Sequence, residues 1–278
     1  MKHLKNIIPA IIILWMMVFV SACRKDRDDL NDTTVASDNE QSETFSNDVM
    51  NIADNAAKSG SAGFRTSSQE ELFEAFSQCT TITHDTVANP RSLVIDFGTV
   101  NCLCGDGRNR RGKILVTYTG KYFETGAVKT MVFDNFYRND NKIEGTRTIT
   151  NNGLDDKGRM NWTINAQNMK ITKANGNVHT CNSIRTRTLL AGNDTKTWTD
   201  DVYEITGSAN GVNAKGFNYT ANIATPLHRA MSCRWIDSGT IEITPEGKAT
   251  RTIDFGSGNC DDQATVSVKK RTRNITLN

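Results

Sequence analysis

Proline, aromatic side chains and long apolar runs are all scarce in this sequence of 278 residues. Only four prolines are present, and aromatic residues account for 7% of the chain. The longest apolar run, 7–20, covers 14 residues, whereas a membrane-spanning helix needs roughly 20. A Gly-rich phosphate loop, a Gly-x-Ser-x-Gly element and closely spaced histidines are also missing. No motif therefore assigns a reaction or a cofactor to the chain.

The chain also lacks a large excess of either positive or negative charge. The net charge is +2, from 33 basic and 31 acidic residues. Residues 1–22 contain Lys2 and Lys5 and no acid, so a chain without them has 31 basic and 31 acidic residues and a net charge of zero. Such a chain has no overall attraction for nucleic acid or anionic membranes. Because stacking aromatics are not interleaved with the basic stretches, we expect no nucleic-acid partner.

The N-terminus has the three parts of a secretory signal peptide. Residues 1–6 are basic, 7–20 are apolar, and the small residues Ser21 and Ala22 precede Cys23. This ending resembles a bacterial lipoprotein lipobox, which implies cleavage after residue 22 and acylation of Cys23. Each acyl methylene buried in a membrane would contribute roughly 0.8 kcal/mol to anchoring. The alternative is an uncleaved membrane anchor with a chance cysteine.

A charged cluster, 24–29, follows Cys23 directly. It resembles the export signal of Bacteroidota lipoproteins, in which Lys and Asp residues after the lipidated Cys direct the protein to the cell surface. That resemblance implies an outer-membrane, lipid-anchored protein that faces outward. The alternative is a solvated spacer, which would leave the protein on the periplasmic face.

Residues 23–66 are expected to contain the lipidated Cys, a tether and a short helix. The stretch 30–48 is too polar to bury much surface, so it is interpreted as a flexible tether. Apolar residues over 45–57 recur at helical spacing, and a second short helix is predicted over 68–78. Packing against a sheet is the favoured role of these helices, and partner binding is the alternative.

From Thr80 onward the apolar residues alternate with polar ones, as in Ile114, Val116 and Tyr118. Asn-, Asp- and Gly-containing turns, such as 138–141 and 151–153, separate these runs. We predict an all-β domain over 67–278, an antiparallel meander of consecutive hairpins that forms a large curved sheet or a sandwich. Trp162, Trp198 and Trp235 are expected to pack in it, with sugar stacking as the alternative role.

Two stretches of this domain repeat almost letter for letter. The first, 95–102, reads Ile-Asp-Phe-Gly-Thr-Val-Asn-Cys, and the second, 253–260, reads Ile-Asp-Phe-Gly-Ser-Gly-Asn-Cys. Each closes a unit that begins with a cysteine and contains a hairpin, which predicts an internal pseudo-repeat over about 79–119 and 233–278. Taken with the lipobox, this pattern resembles an uncharacterised group of Bacteroidota lipoproteins. The resemblance implies a location and a fold class but no activity.

The repeat also predicts disulfide bonds. Equivalent positions pair Cys79 with Cys102 and Cys233 with Cys260, and Cys104 and Cys181 would then pair by elimination. Because Cys102 and Cys104 are close in sequence, their partners could be exchanged. A metal site at these two cysteines is not expected, because no second Cys pair with zinc spacing exists.

Several groups of charged residues are candidate binding or catalytic sites. Arg108, Arg110, Arg111 and Lys113 form a basic loop that, beside residues 269–273, would bind anionic glycans. The matching Asp96 and Asp254 could form a glycosidase pair, although duplication favours a shared structural role such as bonding the following Gly turn. Adjacent acids at 155–156 and 261–262 could bind calcium, but solvated turns are the default.

The leading hypothesis is a non-enzymatic surface lipoprotein whose β-domain binds a glycan or protein partner or serves structurally. The alternative is an enzyme that acts on extracellular glycan or peptide. A cleft with two or more convergent acids would favour the enzyme, and a flat or convex sheet lined by Thr, Lys and Arg would favour binding.

Overall fold

The computed structural model describes residues 34–59, 78–195 and 200–277. In these ranges one helix, α1 (Thr34–Ser59), precedes fourteen strands. The strands are β1 (Thr81–Asp85), β2 (Arg91–Asp96), β3 (Cys102–Leu103), β4 (Asn109–Tyr118), β5 (Val128–Arg138), β6 (Asn141–Leu154), β7 (Met160–Thr172), β8 (Val178–Ala191), β9 (Val202–Val212), β10 (Asn218–Ala230), β11 (Ser238–Pro245), β12 (Arg251–Ser257), β13 (Gln263–Val268) and β14 (Arg271–Thr276).

The strands form a single antiparallel sheet in chain order, from β1 at one edge to β14 at the other. Only the short β3 lies off this path, where it pairs with β4 beyond the end of β2. Several hairpins share one turn, in which a Gly amide bonds the carbonyl three residues earlier, as at Gly158, Gly176 and Gly216. These glycines have φ between +73° and +84°, which a type I turn with a following bulge requires. The predicted meander is therefore confirmed.

The sheet curves around α1. Ala36, Ser37 and Glu40 line a cleft with β14, while Asp38 reaches Lys173 and His179 at the start of β8. In a flat sheet β8 and β14, six positions apart, would be separated by roughly 29 Å, which is far more than the width of a helix. One stretch of helix can contact both strands only because the sheet rolls around it.

Glycine bulges produce part of this curvature. Gly112, Gly145 and Gly239 lie where the register shifts between neighbouring strands, and all three have positive φ. A Cβ at Gly112 would lie 1.9 Å from the carbonyl oxygen of Asn135. Only glycine allows so close an approach, and a bulge of this kind bends the strand and increases its twist.

The helix differs from the sequence prediction in its length. The apolar stripe predicted over 45–57 is present, and Phe45, Val49, Ile52 and Ala53 are buried. However, α1 begins at Thr34, so the tether prediction for 30–48 is wrong from residue 34 onward. Every described side chain of α1 is buried or half-buried, because the sheet surrounds it. The second predicted helix, at 68–78, lies outside the described residues except for Gln78.

The pseudo-repeat is visible in the hydrogen bonds. Asp96 accepts from the amide of Gly98 at 2.8 Å, and Asp254 accepts from the amide of Gly256 at 2.9 Å. The preceding isoleucines, Ile95 and Ile253, are both buried. The shared structural role expected for the two aspartates is confirmed. The repeats lie near opposite edges of the sheet, so the aspartates belong to separate turns.

Two of the three expected disulfide bonds are present. Cys79 bonds Cys102 and Cys233 bonds Cys260, each with Cα atoms 5.6 Å apart. The third prediction is wrong, because Cys104 and Cys181 are free and buried. Cys104 precedes β4 whereas Cys181 is on β8, and three strands lie between β4 and β8 in the sheet. The two thiols accordingly have different neighbours, Arg110 and Asp106 for Cys104, and Glu43 and Tyr219 for Cys181. Burial raises the pKa of both thiols.

Candidate functional site: the helix in the basic interior of the sheet

The concave face of the sheet carries an unusual number of buried basic side chains. They are Arg110, Lys129, Arg138, Arg147, His179, Arg185, Arg187 and Arg251. Burial of a charge is costly unless a partner of opposite charge and hydrogen bonds compensate for it. Acids on α1 supply much of that compensation.

Asp48 lies at the centre of the largest cluster. Its carboxylate is 2.9 Å from Arg110 Nη2 and 3.1 Å from Arg138 Nε. Asp106, in the β3–β4 turn, is 2.6 Å from Arg110 Nη2 and 2.8 Å from Arg108 Nη1. Burial would raise the pKa of Asp106, but the hydrogen bonds from Arg110 and Arg108 outweigh it and lower this pKa to about 2. The cluster ties α1 to strands β4 and β5.

The side chains of the basic loop predicted to bind anions already have carboxylate partners within the protein. Arg110 is completely buried, and Arg108 pairs with Asp106. Arg111 pairs with Asp140, and its guanidinium lies 3.7 Å from the centroid of the Tyr137 ring. Lys113 is 2.9 Å from Asp96. Alternation along β4 turns Arg110 inward, and each of the four basic residues has a carboxylate beside it. Anion binding by this loop stays a prediction.

The remaining acids of α1 contact different strands. Glu43 accepts a hydrogen bond from Arg185 Nε on β8 at 3.0 Å. Asp54 is 3.0 Å from Lys129 Nζ on β5, and this ammonium also lies 4.0 Å from the Tyr122 ring centroid. Between them Ser46 accepts hydrogen bonds from Arg147 on β6. Charge complementarity thus positions the helix along its whole length.

Three polar side chains lie in a row that resembles a hydrolase triad: Ser42, His179 and Asp38. Ser42 Oγ is 3.2 Å from His179 Nε2, and His179 Nδ1 is 3.7 Å from Asp38 Oδ1. No local sequence pattern indicates this arrangement, because Ser42 and His179 are 137 positions apart. Asp38 also accepts from Lys173 Nζ and from the amide of Ala214, both at 2.7 Å.

This triplet is poorly suited to catalysis. His179 is 1% exposed and Asp38 is 0% exposed, so substrate has no access to the imidazole. Burial lowers the pKa of His179 to about 4, and a general base works best with a pKa near the operating pH. Ser42 donates its own hydrogen bond to the carbonyl oxygen of Asp38. The arrangement fits a role in holding the N-terminal half of α1 in place.

A cleft opens between α1 and the β10–β11 connection. It has a volume of about 80 Å³. Its lining includes the acids Glu40, Glu43 and Asp48 and the basic or aromatic residues Arg108, Arg229, Arg234 and Trp235. The cleft thus contains more than the two acids that would favour an enzyme. However, Glu43 and Asp48 already pair with Arg185 and Arg110.

The convex face is polar. A row of threonines crosses four strands, with Thr150, Thr163, Thr186 and Thr206 paired in register from β6 to β9. Thr150 and Thr186 each lie between two buried residues, while Thr163 precedes the buried Ile164 and Thr206 follows the buried Ile205. Alternation along the strands therefore places the row on the outside. Trp162 packs edge-on against Tyr203 in the interior, Trp235 lines the cleft, and Trp198 lies outside the described residues.

The remaining candidate sites have structural roles. Asp155 accepts hydrogen bonds from the amides of Lys157 and Arg159, and Asp261 accepts from the amide of Gln263, as expected for turns. Cys102 is in a disulfide bond, so it cannot be a thiolate ligand. Within the described ranges, no group of three or more His, Cys, Asp or Glu residues is placed to hold a metal ion.

The lipidation site, Cys23, lies outside the described residues. Among those that are described, no helix has the length and apolar character needed to cross a membrane. No protein-family model, no curated protein and no solved structure matches this chain.

Proposed function

We propose that this protein is an outer-membrane lipoprotein, anchored by acyl chains on Cys23 and exposed at the cell surface, whose β-domain is a non-enzymatic binding or structural module. The signal region and the charged cluster at 24–29 support the location. The observation that carries the non-enzymatic role is the filled interior. Asp38, Glu43, Asp48 and Asp54 of α1 all contact basic side chains of the sheet.

Filling the interior removes the groups that an enzyme would need. Glycoside or peptide hydrolysis requires acids or bases that can exchange protons at the working pH and reach substrate. Here the interior carboxylates compensate buried arginines, and His179 is desolvated. The outer Thr-rich face and the cleft beside Trp235 leave surfaces suited to contact with a partner.

Lipidation is tested by growth with labelled palmitate. The wild type is expected to incorporate label and Cys23→Ala to incorporate none. Cys104→Ala is the matched control, because Cys104 is buried and unbonded, and it should be labelled like the wild type. Label in Cys23→Ala would contradict the anchor.

Surface exposure is tested by protease treatment of intact cells. Peptides from the β-domain should be released from intact cells. Release only after lysis would contradict surface exposure and favour the periplasmic face.

The enzyme alternative is favoured by one observation, the contact between Ser42 and His179. A fluorophosphonate probe reacts with activated serines. We expect no labelling of Ser42 in the folded protein, because burial keeps His179 from solvent. Labelling of the wild type that is lost in Ser42→Ala would establish a nucleophile and overturn the non-enzymatic role.

A further inference from the structure

Two arginines with buried Nε atoms, Arg187 and the half-buried Arg229, have no carboxylate partner within the described residues. Arg187 on β8 is 6% exposed. Its guanidinium carbon lies 3.5 Å from the Tyr203 ring centroid, and Nη2 lies 3.7 Å from Met231 Sδ. Arg229 on β10 donates from Nη1 to the carbonyl oxygen of Arg234. In both residues Nε is buried and has no hydrogen-bond partner, and within the described residues neither guanidinium forms an ion pair.

The two charges are close enough to interact unfavourably. Burial and, to a smaller extent, repulsion from Arg187 lower the pKa of Arg229 to about 10. Asp237 favours the charged form of Arg229, but its carboxylate already lies 2.6 Å from His228 Nδ1. A buried donor without an acceptor typically costs about 1–3 kcal/mol, and more when it is charged. An anion bound beside Arg229 would remove this cost.

Arg229 lines the cleft next to α1 together with Arg234 and Trp235. Arg234 is exposed, and its guanidinium carbon is 5.6 Å from the Trp235 ring centroid. The indole Nε1 of Trp235 is a further buried donor without a partner. The cleft therefore combines unused donors with a guanidinium that is open to solvent.

The acids that α1 contributes to the cleft already have hydrogen-bond or ion-pair partners. Glu43 is bound by Arg185, and Asp48 is bound by Arg110. Glu40 accepts a hydrogen bond from the hydroxyl of Thr44 at 2.8 Å. The arginines beside Glu43 and Asp48 offset the charge of these two acids and so reduce the repulsion that an incoming anion would meet.

We propose that this cleft binds an oxyanion group, a carboxylate or a sulfate, carried by a saccharide, with Arg229 and Arg234 as its guanidinium donors and Trp235 against the sugar ring. The planar guanidinium suits both oxyanions because it offers two parallel N–H groups. The volume of about 80 Å³ accommodates the anionic group while the rest of the saccharide stays in the open mouth. This inference rests on the proposed binding function and specifies its ligand class.

The test measures binding of sodium sulfate, glucuronate and a sulfated oligosaccharide to the full-length protein in detergent, by calorimetry and tryptophan fluorescence. The wild type is expected to bind all three, with the oligosaccharide tightest. Arg234→Gln should weaken binding at least tenfold, and this variant should fold because Arg234 is exposed. Arg229→Gln should have the same effect, with its folding checked by thermal unfolding.

Two variants make the test specific. Arg271→Gln is the matched control, because Arg271 is exposed at the far end of β14 from the cleft residue Leu277, and it should bind like the wild type. Trp235→Phe should weaken the oligosaccharide more than inorganic sulfate, because sulfate has no ring to pack.

The possible results distinguish failure of the proposed oxyanion site from failure of the proposed binding function. Binding of the oligosaccharide that is unchanged in Arg229→Gln and Arg234→Gln would overturn this site while leaving the binding function standing. Arginine-dependent binding of sulfate without binding of either saccharide would support the oxyanion site and overturn its saccharide ligand. Failure of the wild type to bind any of the three would overturn the inference altogether.

Discussion

Arg110 has no exposed surface, yet it carries a full positive charge into the interior of the sheet. Its charge is compensated by Asp48 from the helix and by Asp106 from a turn. Removing one partner of a buried ion pair is far more damaging than replacing both, because the remaining charge cannot return to water. The acids of α1 should therefore matter much more than acids at the surface.

Asp48→Asn tests this expectation. It leaves Arg110 and Arg138 short of a counter-charge, so the free energy of unfolding should fall by about 3 kcal/mol. Urea denaturation measures the change. The control is Asp156→Asn in an exposed turn, which should change the free energy by less than about 0.5 kcal/mol. Equal effects of the two substitutions would contradict a stabilising role for the Asp48 cluster.

His179 predicts an acid dependence of stability. Burial lowers its pKa from 6.5 to about 4, so the folded state resists protonation and the unfolded state accepts it. The neutral His179 imidazole therefore contributes fully to the free energy of unfolding above pH 6.5. This contribution is lost as the pH falls toward 4, by up to about 1.4 kcal/mol per pH unit.

Urea denaturation between pH 7 and pH 4 measures this dependence. His179→Gln should reduce the slope over this range. His84→Gln is the comparison, because the pKa of His84 is also lowered by burial, although His84 is less enclosed. A wild type and a His179→Gln variant with the same pH dependence would show that another group is responsible.

At the level of elements, glycine bulges let the sheet bend around the helix. Gly145 has φ +121°, and a Cβ there would lie 2.7 Å from the carbonyl oxygen of Asn168. Gly145→Ala should lower the free energy of unfolding by more than about 2 kcal/mol, since strain in the backbone adds to the clash. Gly158, with φ +73° and open space around its Cβ position, is the control, and Gly158→Ala should cost only about 1 kcal/mol. Thermal unfolding that is equally affected in both variants would argue against the bulge.

Local sequence patterns predict most of the strands but not the N-terminal half of α1. Alternation and Asn- and Gly-rich turns depend on neighbouring residues only, so the meander and both repeat-based disulfide bonds were predictable. The stretch 34–48 looks like a solvated tether because its composition is polar. It is ordered because basic residues from β4, β5 and β8, which are distant in sequence, supply the partners that water would otherwise supply.

At the level of the whole molecule, the helix and the sheet depend on each other. Without α1, Arg185 and Lys129 would lose the acids that neutralise them, and Arg110 would keep only Asp106. A chain that lacks residues 34–59 is therefore expected to lose cooperative unfolding. Circular dichroism during heating measures this loss.

Complementation distinguishes docking from simple misfolding. A synthetic peptide of residues 34–59 should restore a cooperative transition to the deleted chain. The same peptide with Asn at position 48 should restore less of it, because it does not neutralise Arg110. Cooperative unfolding of the deleted chain by itself would contradict the dependence of the sheet on the helix.

Local patterns in the chain are sufficient to predict the strand order, the turns, the duplicated cysteine-closed hairpin and the signal region, because each of these depends on residues that are close together. The partners of the charged side chains become visible only in the folded protein. Arg108, Arg110, Arg111 and Lys113 look like a free anion-binding loop in sequence. In the folded protein Asp106 of the same turn pairs with two of them, and the fold adds Asp48, Asp140 and Asp96 from more distant segments. Most of these partners depend on which segments the fold places side by side, and no local pattern records that.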